Sequence, residues 1–183
     1  MGINSIYLAG SVPKSDDDLK KIKDWRIDFI EELNKIKNFK YINPREIRVT
    51  EEDTQGVFGL DCDLIKNSDL LIVYIFDRSG IGTSQEILIA KYFKKPVILV
   101  IPKNTHHRIE NLVYDNKTIK DWIHPFLDQT CDIIIEDKSE LRNAIKKLEN
   151  TKIKDITIID ESIDYYKEKY TSNILKITPN NSK

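Results

Sequence analysis

The chain has 183 residues, of which 40% are hydrophobic and 32% are charged, so it is long enough for one globular domain with room for an appendage. Acidic and basic residues nearly cancel to a formal net charge of -1, which argues against broad electrostatic binding to nucleic acid polymers or anionic membranes. No apolar run approaches the roughly 18 residues that a membrane-spanning helix needs, and Met1 leads into a strand-like run without a signal peptide, so we expect a cytoplasmic protein.

Strand-like runs and helical patterns alternate along residues 1–150. Short apolar runs typical of buried parallel strands occupy residues 5–10, 39–42, 69–75, 96–101 and 132–135. Helical spacing predicts helices over residues 15–36, 55–67, from 83 or 84 to 92 or 93, and over 139–148, the last one capped by Ser139 or Asp137. This alternation predicts an α/β domain, a doubly wound parallel sheet with helices on both faces. Five strands favour a flavodoxin-like order, with residues 69–75 near its centre.

Three stretches carry weaker signals. Residues 45–54 are charged and predict a loop, and residues 103–130 predict irregular structure, with a short helix over 121–127 broken at Pro125. Residues 151–183 form a C-terminal extension, with a possible strand over 155–160, a possible helix over 161–170 and a disordered end over 179–183. Cys62 and Cys131 do not form a metal or redox motif and are interpreted as two buried small hydrophobes. His106, His107 and His124 lack a metal-ligand spacing and are interpreted as non-catalytic.

Ligands of open parallel sheets bind at the carboxyl ends of the strands, so the loops that begin at Gly10 and Phe76 should face one cleft. The second loop, residues 77–83, precedes a helix N-terminus, and its glycines Gly80 and Gly82 permit close approach of the backbone to an oxygen-rich group. It has neither the P-loop pattern nor GxGxxG. Candidate contacts for a phosphate are the cations and hydroxyls of Lys14, Arg78, Ser11, Ser79 and Ser84.

Glu86 has two possible roles. Thr83 to Glu86 fits a capping box, in which Glu86 only caps its own helix. Alternatively, Glu86 is a carboxylate in the first helical turn, held in its ionised form by the helix dipole, as a nucleophile requires. Asp61 precedes the central strand and is either a solvated surface residue or the second carboxylate of a glycosyl-transfer pair. Tyr7, in the first strand, either packs in the core or reaches the same cleft.

Over residues 4–101 the chain resembles the nucleoside 2-deoxyribosyltransferase family, whose relatives include 2′-deoxynucleoside 5′-monophosphate N-glycosidases. The resemblance rests on the run Tyr7-Leu8-Ala9-Gly10-Ser11, on Asp61 eight residues before Asp69, and on Ser79-Gly80-Ile81-Gly82-Thr83-Ser84-Gln85-Glu86-Ile87 with Ala90. Two positions depart from the family pattern. Gly80 stands where transferases often carry an Asp, and Pro13, followed by Lys14, stands where the monophosphate-cleaving relatives carry an Arg.

The resemblance implies an enzyme that cleaves the N-glycosidic bond of a nucleoside or nucleotide, with no metal or cofactor, in a homo-oligomer whose sites are completed by a neighbouring subunit. It implies that Glu86 attacks C1′ as the nucleophile, that Asp61 assists protonation of the leaving base, and that Tyr7 lines the sugar end of the site. The acceptor, a second base or water, stays open. A nucleotide-binding module without turnover, or a glycohydrolase acting on a larger ribosyl compound such as a dinucleotide, also stays open.

Overall fold

The computed structural model describes residues 2–11, 24–43, 49–50 and 52–174, the last four of these by their backbone alone. Its central sheet has five parallel strands, β1 (Ser5–Gly10), β2 (Lys40–Ile42), β3 (Leu70–Tyr74), β4 (Val97–Val100) and β7 (Ile133–Ile135). They lie in the order β2-β1-β3-β4-β7, which is the flavodoxin-like order that the sequence predicts. The prediction that β3 is central is confirmed.

Helices cover both faces of this sheet because alternate residues of each buried strand point to opposite sides. On one face, Ile6, Leu8 and Ile72 pack with residues of helix α1 (Trp25–Asn34) and helix α5 (Leu141–Leu148). On the other face, Tyr7, Ala9 and Val73 pack with residues of helices α2 (Thr54–Lys66), α3 (Ile81–Tyr92) and α4 (Pro125–Thr130). Tyr7 therefore belongs to the α2–α3 face.

The carboxyl ends of the first two inner strands lie side by side. Gly10, the last residue of β1, is in register with Tyr74, the last residue of β3. The loops that follow these two strands therefore start from neighbouring points, as the sequence predicts. Residues 12–23 and 44–48 lie outside the described residues, and with them Lys14, Pro13 and the predicted helix start at Ser15.

The prediction of irregular structure for residues 103–130 is wrong. Strands β5 (Arg108–Tyr114) and β6 (Lys117–Ile123) form an antiparallel hairpin, separate from the central sheet. Its turn residues Asp115 and Asn116 have positive φ angles of 50° and 57°, which is the geometry of a tight two-residue hairpin turn. Pro125 does not break a helix but opens α4, where its missing N–H costs no hydrogen bond.

The C-terminal part also differs from expectation. The possible strand over residues 155–160 is absent, because helix α6 (Ile158–Ile174) starts within it and continues through the predicted helical segment. Before α5, a short 3-10 turn, Lys138–Glu140, is capped by the Asp137 side chain, one of the two predicted caps. Cys62 and Cys131 are both free, and Cys131 is buried, as expected, whereas Cys62 is only half-buried. None of the helices in the described ranges is long and apolar enough to span a membrane.

Candidate active site

The structure brings Tyr7 and Glu86 into direct contact, although 79 residues separate them. The Tyr7 hydroxyl donates a hydrogen bond of 2.6 Å to Oε1 of Glu86. Tyr7 is fully buried, in the middle of β1 rather than at its end. Burial and the Glu86 carboxylate raise the pKa of Tyr7 far above its ordinary range, so its hydroxyl keeps its proton and donates.

The capping-box role for Glu86 is wrong. Helix α3 begins at Ile81, after the N-cap residue Gly80, and no side chain caps it. Thr83 therefore lies inside the first turn, where it is buried, and Glu86 lies in the second turn. Within the described residues, Glu86 accepts a side-chain hydrogen bond from Tyr7 alone, and this leaves Oε2 without a protein donor.

The expectation of a readily ionised Glu86 also fails. The pKa of Glu86 is raised to about 7, chiefly by burial and also by the nearby charge of Asp61, while the hydrogen bond from Tyr7 and the charge of Arg26 act to lower it. A position in the second turn also weakens the helix-dipole effect, which falls off within the first turn. Near neutral pH, Glu86 is therefore divided between its protonated and ionised forms.

Asp61 lies in α2, half-buried, and completes a set of three side chains on one face of the sheet. Its negative charge raises the pKa of both Glu86 and Tyr7, which places it within electrostatic reach of both groups. Asp63 on the same helix is exposed, and Asp69 is engaged elsewhere, accepting hydrogen bonds from the backbone of Asn4 and Ser5. Of these three aspartates, Asp61 is therefore the one that lies within electrostatic reach of Glu86 and Tyr7.

Arg26 is a buried cation within electrostatic range of Glu86 that the sequence analysis missed. It is 1% exposed, its Nε donates to the carbonyl of Leu8 at 3.1 Å, and Nη2 donates to the carbonyl of Gly10 at 3.3 Å. Its positive charge lowers the pKa of Glu86, and it fixes the end of β1. A signal existed, because Arg26 precedes the buried residues Phe29 and Leu33 by three and seven positions and so lies on the buried stripe of α1.

Two hydrogen bonds of Ser79 hold the loop between β3 and α3 in place. The Ser79 backbone N–H donates to Nε2 of His107 at 3.1 Å, and the Ser79 hydroxyl lies 2.9 Å from that of Ser84. Burial and the neighbouring histidines His106 and His124 lower the pKa of His107, which keeps Nε2 free to accept. His107 therefore positions this loop, a role that the sequence did not indicate.

The remaining predicted contacts divide into three groups. Gly10 is the last residue of β1, at the carboxyl end of the strand, and the exposed Ser11 follows it. The Ser11 carbonyl accepts a hydrogen bond from the indole of Trp25. Gly80 and Gly82 lie at the exposed start of α3, and Arg78 is exposed beside them. Lys14 lies outside the described residues.

A separate cavity of about 260 Å³ opens on the α1–α5 face of the sheet, and its lining includes Trp25, Tyr74 and Asp137. Tyr7, Asp61 and Glu86 do not line this cavity, so we do not assign it to their site. No group of three or more His, Cys, Asp or Glu side chains in the described part of the chain is arranged to hold a metal ion.

Solved structures with a similar fold exist. The 2-deoxyribosyltransferase from Bacillus psychrosaccharolyticus superposes with a TM-score of 0.53 at 22% identity, over 76% of this chain and 90% of that one. The 2-deoxyribosyltransferase from Leishmania mexicana gives a TM-score of 0.52 at 18% identity, over 78% and 95%. The chain has the 2-deoxyribosyltransferase fold. The expected fold is thereby confirmed.

A third structure, the CMP N-glycosidase BcmB from Clostridium botulinum, is less similar, with a TM-score of 0.43 at 18% identity over 78% of this chain and 99% of that one. No family model and no curated protein matches the sequence.

Proposed function

We propose that the protein cleaves the N-glycosidic bond of a nucleoside or nucleotide and transfers the sugar to another base, with Glu86 as the nucleophile. The observation that supports this most directly is the 2.6 Å hydrogen bond from Tyr7 to Oε1 of Glu86. This bond fixes the carboxylate and leaves Oε2 available for attack. A retaining glycosyl transfer needs a nucleophilic carboxylate of this kind and a second acidic group for the leaving base, which is the role we give to Asp61.

The reaction proceeds in two displacements. Oε2 of Glu86 forms a bond to C1′ while the C1′–N bond breaks, and the base departs with the bonding electrons. Asp61 assists transfer of a proton to the departing base. A nitrogen of the incoming base then attacks C1′ while the C1′–Oε2 bond breaks and releases the Glu86 carboxylate. The proton of that nitrogen passes to Asp61, and the configuration at C1′ is retained overall. Arg26 and Tyr7 lower the pKa of Glu86 and so favour its ionised, attacking form.

The fold leaves the acceptor open. If water attacks instead of a base, the same residues hydrolyse a nucleoside or its 5′-monophosphate. For either case we propose the same substrate contacts. They are Gly10, Ser11 and Lys14 after β1, Ser79 and Gly80 just before α3, and Gly82 and Thr83 in its first turn. A nucleotide-binding module that kept the fold without turnover is the non-catalytic alternative. A cytoplasmic location and a homo-oligomer that completes the site are further parts of the proposal.

The test combines a substrate screen with base exchange. The protein is incubated with deoxynucleosides, ribonucleosides, their monophosphates or dinucleotides, each with and without a second free base, and the products are separated by HPLC. Exchange of bases identifies a transferase, and release of free base alone identifies a hydrolase. Intact-mass spectrometry of the quenched reaction should detect the sugar on the wild-type chain and not on Glu86→Gln.

Glu149→Gln serves as the matched control, because Glu149 is an exposed glutamate at the end of α5. It should retain wild-type exchange or hydrolysis, whereas Glu86→Gln should lose it. Thermal stabilisation by nucleotides without any product would support the binding module instead. The enzymatic proposal fails if no substrate gives exchange or free base, or if Glu86→Gln retains the wild-type rate.

A further inference from the structure

Helix α6 extends from the domain with little support. Lys154 secures the segment before the helix by donating through Nζ to the carbonyls of Asp128 and Cys131, both at 2.8 Å. Every residue from Ile159 to Tyr170 is nevertheless exposed. Most helices of folded proteins gain their stability from the packing of one apolar face rather than from helix propensity. The exposed helix therefore lacks a packing partner within its own described domain.

The exposed part of α6 carries one continuous apolar stripe. Ile159, Ile163, Tyr166 and Tyr170 follow one another at intervals of four, three and four residues, and they are 43%, 43%, 49% and 40% exposed. Intervals of three and four correspond to the average of 3.5 residues at which coiled-coil helices meet. The stripe therefore has the spacing of a coiled-coil seam over nearly two heptads, with Ile163 at an a position and Tyr166 at a d position.

The charges that flank this seam indicate the direction of the partner helix. Asp160 and Lys167 occupy equivalent flanking positions, one heptad apart, on the same side of the stripe. In an antiparallel pair of identical helices, these positions face each other, so Asp160 lies beside Lys167 of the partner subunit, and two such ion pairs form by symmetry. In a parallel pair, the position that faces Asp160 would fall before the start of the partner's helix, so Asp160 would gain no cationic partner there. Charge complementarity therefore favours the antiparallel arrangement.

We infer that α6 is a self-complementary interaction surface and that its partner is α6 of a second copy of this chain, in antiparallel orientation. In this arrangement, Ile163 packs opposite Tyr166 of the partner subunit, and Ile159 packs opposite Tyr170 of the partner subunit. The weak ion pair between Lys167 and Asp164, at 4.0 Å within one helix, gives way to the intermolecular pair. The inference does not depend on the proposed glycosyl transfer, because no residue of α6 belongs to that site.

Disulfide cross-linking of the full-length chain tests the pairing and its direction. Ile163→Cys and Tyr166→Cys are made separately in a Cys62→Ser background, mixed in equal amounts, oxidised gently and measured by intact-mass spectrometry, since the two chains differ in mass. The antiparallel pair predicts that the mixed disulfide dominates, well above the one-half share that random pairing gives. A mixed disulfide at or below that share, or no disulfide, overturns the inference.

Tyr165→Cys in the same background is the matched control. Tyr165 is the neighbouring tyrosine, is 57% exposed and lies off the seam, so its variant should cross-link far more slowly than the mixed pair. Equal rates would overturn the inference. Asp160→Lys should slow the mixed cross-link several-fold, and addition of Lys167→Asp in the same chain should restore it, because only the antiparallel pair reforms its ion pairs after this exchange.

Discussion

Replacing Glu86 with Gln tests the electrostatic account of the site without any knowledge of the substrate. Burial raises the pKa of Glu86 from its ordinary value of 4.5 to about 7. The fold therefore favours the protonated form and is destabilised when the carboxyl group ionises. A glutamine has nearly the same shape, accepts the hydrogen bond of 2.6 Å that the Tyr7 hydroxyl now donates to Oε1, and never carries the charge.

The size and sign of the effect follow from proton linkage. Below pH 4.5, Glu86 is protonated in both the folded and the unfolded chain, so the stabilisation from its raised pKa is fully present. Between pH 4.5 and about 7 only the unfolded chain ionises, and the free energy of unfolding falls by about 1.4 kcal/mol per pH unit. Allowing for the partial exposure of Glu86, we expect the Gln variant to match wild type near pH 4.5 and to exceed it by about 2–3 kcal/mol at pH 8.

The measurement is urea unfolding at several pH values between 4.5 and 8, followed by tryptophan fluorescence. Glu149→Gln, at an exposed position, should follow the wild-type curve at every pH. If the difference between Glu86→Gln and wild type is the same at pH 4.5 and pH 8, the carboxyl group is not held near neutrality by burial. The account of its protonation would then be refuted, whatever the protein's activity.

Three further substitutions probe the neighbouring contacts. Tyr7→Phe removes a hydrogen bond that stabilises the charged form of Glu86 by about 1.5–3 kcal/mol, so the pKa of Glu86 should rise by about 1–2. ¹³C NMR of the carboxyl carbon measures this pKa, and an unchanged value would contradict the prediction. Lys91→Met leaves the Asp132 carboxylate buried without its partner at 2.5 Å and should cost about 3–5 kcal/mol in urea unfolding; a loss under 1 kcal/mol would show that Asp132 finds another partner. Gly10→Ala places a Cβ 2.8 Å from the carbonyl oxygen of Tyr74 and should cost about 1–3 kcal/mol in thermal unfolding; unchanged stability would mean that the strand end shifts freely.

The central sheet was predictable because its strands are buried on both faces and stand out as continuous apolar runs. The hairpin β5–β6 was not, since its exposed strands have no such run. Its one usable signal was Asp115-Asn116, a pair that tolerates the positive φ angles of a tight turn, but it lacks the glycine that usually marks such turns.

The start of α3 was misplaced for a related reason. Ile81 is 83% exposed and Gly82 is a poor helix former, so neither carries a helical signal. The hydroxyls of Thr83 and Ser84 suggested a helix start two or three residues too late. The contact between Tyr7 and Glu86 joins residues 79 positions apart, which no local pattern reveals. The family resemblance pointed to these two residues, whereas Arg26, which it did not mention, was found only in the structure.

Helix α3 contains a fully buried lysine and a half-buried glutamate, and the difference in how they are compensated supports the proposed chemistry at Glu86. Lys91 is fully buried, and its ammonium group is compensated by Asp132 at 2.5 Å and by the carbonyl of Lys95 at 3.0 Å. Five residues earlier, the one hydrogen bond that Glu86 receives from a side chain of the described residues comes from a neutral hydroxyl, although the cationic Arg26 lies within electrostatic range. A fold under selection for stability alone would compensate both groups. Burying a carboxylate without a bonded cation costs stability, and such costs are characteristic of sites where the free oxygen reacts.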